Sequence, residues 1–100
     1  MTVCSVLKSD NLYEVCIKGH SGYDTIGKDI VCSAVSSSFI LTVNLLDKLN
    51  SNMIYEANET IPMMKVEITN YTDIEETILD NLIECLKDVS RQYPKYLKIK

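Results

Sequence analysis

Residues 19–36 read Gly19-His20-Ser21-Gly22-Tyr23-Asp24-Thr25-Ile26-Gly27-Lys28-Asp29-Ile30-Val31-Cys32-Ser33-Ala34-Val35-Ser36. Across them the apolar repeat changes from the alternation of a strand to the spacing of a helix. Before Gly19, residues 12–18 alternate, with Tyr13, Val15 and Ile17 on one face and Glu14, Cys16 and Lys18 on the other. After Asp29, apolar residues recur at Ile30, Val31, Ala34, Val35, Phe39, Ile40, Val43, Leu46 and Leu49. A strand therefore ends at Gly19, and a helix runs from Ile30 to Leu49 with Asp29 as its N-cap. The connection is polar, carries Gly22 and Gly27, and starts with the only histidine, His20. It is long enough for His20 to fold back on Cys32, at about the third helical position. Cysteine reacts as its thiolate, and a helix start is one of the places that favour the anion. A nearby imidazole can take the thiol proton and return it to a leaving group.

Outward from this stretch, residues 2–8 are apolar and β-branched enough for a strand, and Asp10-Asn11 marks a hairpin turn into residues 12–18. Cys4 and Cys16 are most simply small core residues of that hairpin. The helix over 30–49 is apolar nearly all round, which predicts that it is largely buried. It fades at Asn50-Ser51-Asn52. Met53 to Ala57 and Ile61 to Asn70 read as strands around a turn at Asn58-Glu59, and Pro62 places the start of the second at a sheet edge. Thr72-Asp73-Ile74-Glu75 is a capping-box sequence opening a second helix to about Gln92. Its apolar stripe is Ile74, Ile78, Leu82, Leu86 and Val89, widened by Leu79, Ile83 and Cys85. Pro94 stops it, and Tyr96, Leu97 and Ile99 suggest a terminal strand. The order ββαββαβ predicts an α+β fold: a mostly antiparallel sheet with two packed helices, in a single domain over 1–100.

With 100 residues and a formal net charge of -4, the chain can bury one core and does not favour nucleic acid or an anionic membrane as direct partner. Lys95, Lys98 and Lys100 read as a solvated strand edge. Met1 is followed by a polar–apolar alternation, so no secretory leader is expected and the location is cytoplasmic. Serines, Asn44, Asp47 and Lys48 interrupt the long apolar helix, which argues against a membrane span. The four cysteines, Cys4, Cys16, Cys32 and Cys85, are then expected reduced. Their spacing fits no zinc site, and no metal or other cofactor is expected.

Several residues keep two readings. Cys85 fits an inert thiol on the apolar stripe, whereas Cys32, at a helix start, fits a reactive one. His20 either caps a turn or partners Cys32. Asp29 caps the helix, or orients His20 as a third catalytic member. Ser36, one turn after Cys32, hydrogen-bonds in the site or back to its own helix. Gly22 and Gly27 hinge a covering loop over 21–28, or simply make turns. Tyr23, Ile26 and Phe39 can touch an apolar substrate, with core packing the stronger reading for Phe39.

Gly19-His20, a loop with glycine and aspartate, and then Asp29-Ile30-Val31-Cys32-Ser33-Ala34-Val35-Ser36 resemble the signature of the ribosomal-processing cysteine protease family, Prp. The resemblance extends to chain length and element order. It implies a bacterial cytoplasmic, homodimeric thiol protease acting in ribosome biogenesis, a hydrolase of peptide bonds. Its substrate would be the N-terminal extension of a large-subunit ribosomal protein, cut after Phe in a short apolar motif. It implies Cys32 as nucleophile and His20 as acid/base, with Asp29 and Ser36 as supporting motif positions. Gly19, Ser21, Gly22, Tyr23 and Gly27 would belong to the substrate loop. Ser21 and Ser33 stand where alanine is commoner in the family. The alternative is a non-catalytic, ribosome-associated interaction domain in which the motif only shapes a groove.

Overall fold

The computed structural model describes residues 2–19, 26–58, 60 and 62–100, with the backbone alone for 26–29. Strands β1 (Thr2–Lys8) and β2 (Leu12–Lys18) form the expected hairpin. The Ser9 N–H donates to the Leu12 carbonyl at 2.8 Å, so Asp10-Asn11 is the two-residue turn. Helix α1 (Ile26–Lys48) follows, then β3 (Met53–Asn58), β4 (Met63–Thr69), α2 (Asp73–Gln92) and β5 (Leu97–Ile99). The five strands form one sheet in the order β3-β4-β2-β1-β5, antiparallel except where β5 runs beside β1. Both helices lie on one face of it.

The core sits between that face and the helices. Alternation in the strands supplies Cys4, Tyr13, Val15, Ile17, Val66 and Ile68 from one side. Val31, Val35, Phe39, Val43 and Leu46 come from α1, and Leu79, Leu82 and Leu86 from α2. The opposite sheet face carries charged side chains, with Lys65 3.6 Å from Glu14 and 3.9 Å from Glu56, beside exposed Leu7 and Ile54.

Both helix termini with described caps are local devices. Asn50 takes φ 57° after α1, and the N–H groups of Asn50 and Ser51 donate to the Asp47 and Leu46 carbonyls, each at 3.0 Å. This is the Schellman arrangement, with asparagine tolerating the left-handed position. At α2, the Glu75 N–H donates to the Thr72 hydroxyl at 3.2 Å and the Thr72 N–H to Glu75 Oε1 at 2.8 Å, completing the capping box.

Five sequence expectations are corrected. Helix α1 begins at Ile26, four residues before Ile30. One internal glycine costs a helix only about 1 kcal/mol, so Gly27 does not stop it. Gly27 and Lys28 are therefore helical, not parts of a loop, and Asp29 lies inside the first turns, not at the N-cap.

Nor is α1 largely buried, because only one layer covers it: Ile30, Ile40, Leu41, Leu45 and Leu49 are exposed, Leu41 to 72%. Its Ile30–Lys48 portion, of mean hydropathy 1.6, is long and apolar enough to cross a membrane, yet its inner stripe is core here. On α2 the buried positions are Glu75, Leu79, Leu82 and Leu86, which leaves Ile74 64% exposed. Cys85 is exposed as well, so it is not on the stripe. Finally, β4 starts after Pro62 and lies inside the sheet, between β3 and β2. It is β3 that forms the edge.

Candidate active site

One end of the sheet opens into a cavity of about 400 Å³ beneath the α1 side of β3 and β4. Helix α1 contributes Cys32, Val35, Ser36 and Ile40. These follow the helical repeat, so they line one face of α1. The end of β2 contributes Ile17 and Gly19. Gly19 has φ 153°, a conformation open to glycine at no steric cost, and its N–H donates to the Pro62 carbonyl at 3.2 Å. Tyr55 and Ala57 enter from β3, and Met63 and Met64 from β4. Among the described lining residues none is charged. The volume fits a small ligand or a few side chains, and the lining favours apolar ones.

Cys32 and Ser36 are both half-buried here, with Val35 between them 3% exposed. Counting Ile26 as first, Cys32 is the seventh residue of α1, not about the third. Its own N–H is thus within the intrahelical ladder, and the unpaired amides of a helix belong to the first four residues. Side chains on a helix lean toward its N-terminus, so the Cys32 sulfur reaches back toward that turn.

Three site residues, Gly19, Cys32 and Ser36, therefore meet at one cavity. His20, Ser21, Gly22 and Tyr23 lie outside the described residues, as do the side chains of Ile26 and Asp29. Phe39 is fully buried core, 6.2 Å from the Tyr55 ring that walls the cavity. The helix back-bonds come from other hydroxyls: Ser38 donates to the Ala34 carbonyl and Thr42 to the Ser38 carbonyl, each at 2.8 Å. Tyr55, Ala57, Met63 and Met64 were not singled out from the sequence. Their strands were legible, but their approach to Cys32 depends on sheet order. Among the described residues no three metal-ligating side chains come together.

A sheet covered on one face by two helices, with a cysteine among the uncharged residues that line a cleft beside them, defines the class of the protein as α+β. The family model for cysteine protease Prp matches residues 1–98, and the chain belongs to that family of cysteine proteases. No curated protein matches it in sequence.

Solved structures share the fold. SMU.848 from Streptococcus mutans is 20% identical, with TM-score 0.88 over 100% of this chain and 92% of that one. The essential ribosomal processing protease Prp from S. aureus, in complex with a substrate peptide, is 16% identical, with TM-score 0.85 over 100% and 98%. Its complex with a covalently linked product peptide gives 18% identity and TM-score 0.86 over 100% and 98%.

Proposed function

We propose that this chain is a cysteine endopeptidase, a single domain over 1–100, that removes the N-terminal extension of a bacterial large-subunit ribosomal protein. Cleavage follows Phe in a short apolar motif. The observation that carries the reading is Cys32, half-buried, on the lining of an uncharged, mostly apolar cavity, in a chain of the Prp family.

His20 takes the Cys32 proton, and the thiolate attacks the scissile carbonyl carbon. Main-chain N–H groups near the start of α1 stabilise the oxyanion. The tetrahedral intermediate collapses, His20 protonates the leaving amine, and a thioester remains on Cys32. Water, deprotonated by His20, adds to the thioester, and the new carboxylate leaves as the thiol is restored. Because Cys32 lies beyond the first turn, the helix start contributes less to holding the sulfur anion and the imidazole contributes more. Asp29 and Ser36 support the pair, and Gly19, Ser21, Gly22 and Tyr23 contribute to substrate enclosure. The protein acts in the cytoplasm as a homodimer, without cofactor, metal, membrane or direct nucleic-acid contact.

An internally quenched peptide with a single phenylalanine in an apolar run tests the reading. The native protein cleaves it, while Cys32→Ala and Cys32→Ser bind it without cleavage. Cleavage that survives both substitutions would mean a different nucleophile and would end this assignment.

A further inference from the structure

In an antiparallel pair, facing residues alternate between those that exchange main-chain hydrogen bonds and those that do not. The Gly19 N–H donates to the Pro62 carbonyl, and the Asn70 N–H donates to the Asn11 carbonyl at 2.6 Å. Both contacts continue the β2–β4 register, in which Ile17 faces Met64 and Val15 faces Val66. Pro62, Met64, Val66, Ile68 and Asn70 therefore turn their main-chain groups toward β2. The intervening Met63, Lys65 and Glu67 turn theirs toward β3, where they face Asn58, Glu56 and Ile54. By the same alternation, the N–H and C=O groups of Tyr55 and Ala57 point out from the sheet edge.

Among the described residues no strand pairs with that edge. The side chains of the same two residues turn the other way from Ile54 and Glu56, into the cavity that holds Cys32. Edge strands are usually blunted by charge, bulges or covering segments. Here Ile54 and Tyr55 are exposed at 53% and 40%. The one charged residue of β3, Glu56, lies on the outer sheet face against Lys65.

We propose that the peptide substrate binds as a sixth strand on the outer edge of β3, through the main-chain groups of Tyr55 and Ala57. This rests on the protease reading and adds how the substrate is held. Main-chain pairing supplies affinity independent of side chains, and alternate substrate residues turn toward the apolar cavity. The scissile bond is thereby carried along the edge toward Cys32, which shares that cavity with both residues. An extended segment free of charge at its cavity-facing positions is the partner that fits.

Residue-resolved amide exchange on the Cys32→Ala protein, with and without the single-phenylalanine peptide, tests the pairing. Without peptide, Tyr55 and Ala57 exchange faster than Ile54 and Glu56; saturating peptide slows them about tenfold or more. Main-chain N-methylation scanned along the same peptide lowers cleavage by the native protein about tenfold at alternate residues and little between them. Cleavage of the parent peptide without slowed exchange at Tyr55 and Ala57, or without the alternating pattern, overturns the inference and leaves the protease reading intact. Protection of both amides before peptide is added overturns it too, because a second copy or another segment of the chain then occupies the edge. A native protein that leaves the parent peptide uncut removes the reading and the inference together.

Discussion

Cys4 is fully buried on the inner face of β1, and burial, with a smaller contribution from Cys16, pushes its thiol up to about 11. Cys16, half-buried on the outer face, is also raised, chiefly by burial. Cys85 stands exposed on α2. Iodoacetamide at neutral pH is thus expected to label Cys85 readily and to leave Cys4 unlabelled until the protein unfolds. Under the proposed mechanism His20→Ala slows labelling of Cys32 without changing Cys85, measured by mass spectrometry of each peptide; an unaltered Cys32 rate would remove the imidazole from its role. The Cys4 shift also sets an alkaline limit. Its folded value exceeds that of an ordinary thiol, 9.0, so its contribution to stability is full below about pH 9 and lost as pH rises toward about 11. Denaturant titrations across that window are expected to show a smaller decline for Cys4→Val than for the native chain. Period and residue type exposed the alternation around Cys4 but not the wet side of α2, where Cys85 depends on how α2 is rotated against its neighbours.

At the scale of elements, the capping box of α2 was fully legible, because every bond in it joins Thr72 to Glu75. Thr72→Ala is expected to cost about 1 kcal/mol, read as a fall in Tm of about 4–8 °C for a domain of this size. Desolvation raises the Glu75 carboxyl, but hydrogen bonds from Ser51 and Thr72 outweigh it and hold the group below the ordinary carboxyl value of 4.5. Its stabilising contribution is then present above pH 4.5 and fades as pH falls through the lower folded value. The pH dependence of stability in that acid range should be shallower in Thr72→Ala; identical curves would show that the Thr72 hydroxyl does not help hold the carboxylate, whose bond from the Thr72 main-chain N–H survives the substitution. The start of α1 was harder to read. Gly27 and Asp29 satisfy both a loop-then-cap reading and a helix already under way, and the difference between them is small per residue.

For the whole molecule, the outer flank of α1 is an apolar surface that the described residues leave uncovered. Leu41 and Leu45 are exposed at 72% and 44%, and Leu49 at 50%, and contiguous apolar patches of this kind mark interaction surfaces. If that flank joins the proposed homodimer, Leu41→Glu with Leu45→Glu should halve the mass in sedimentation equilibrium and leave the helical circular dichroism unchanged. A native protein that sediments as a monomer at micromolar concentration would refute the dimer. The sequence by itself determined the seven described elements in order, the hairpin turn, the capping box and the motif that carries the family resemblance, since periodicity, caps and motifs are local. Only the tertiary structure decided that β3, not β4, is the edge, that one flank of α1 stays uncovered, and that Tyr55 and Met64 meet Cys32. Those outcomes depend on which strands pair and on the single apolar face that a five-stranded sheet offers two helices. Such contacts join residues far apart in the chain, and no local spacing encodes them.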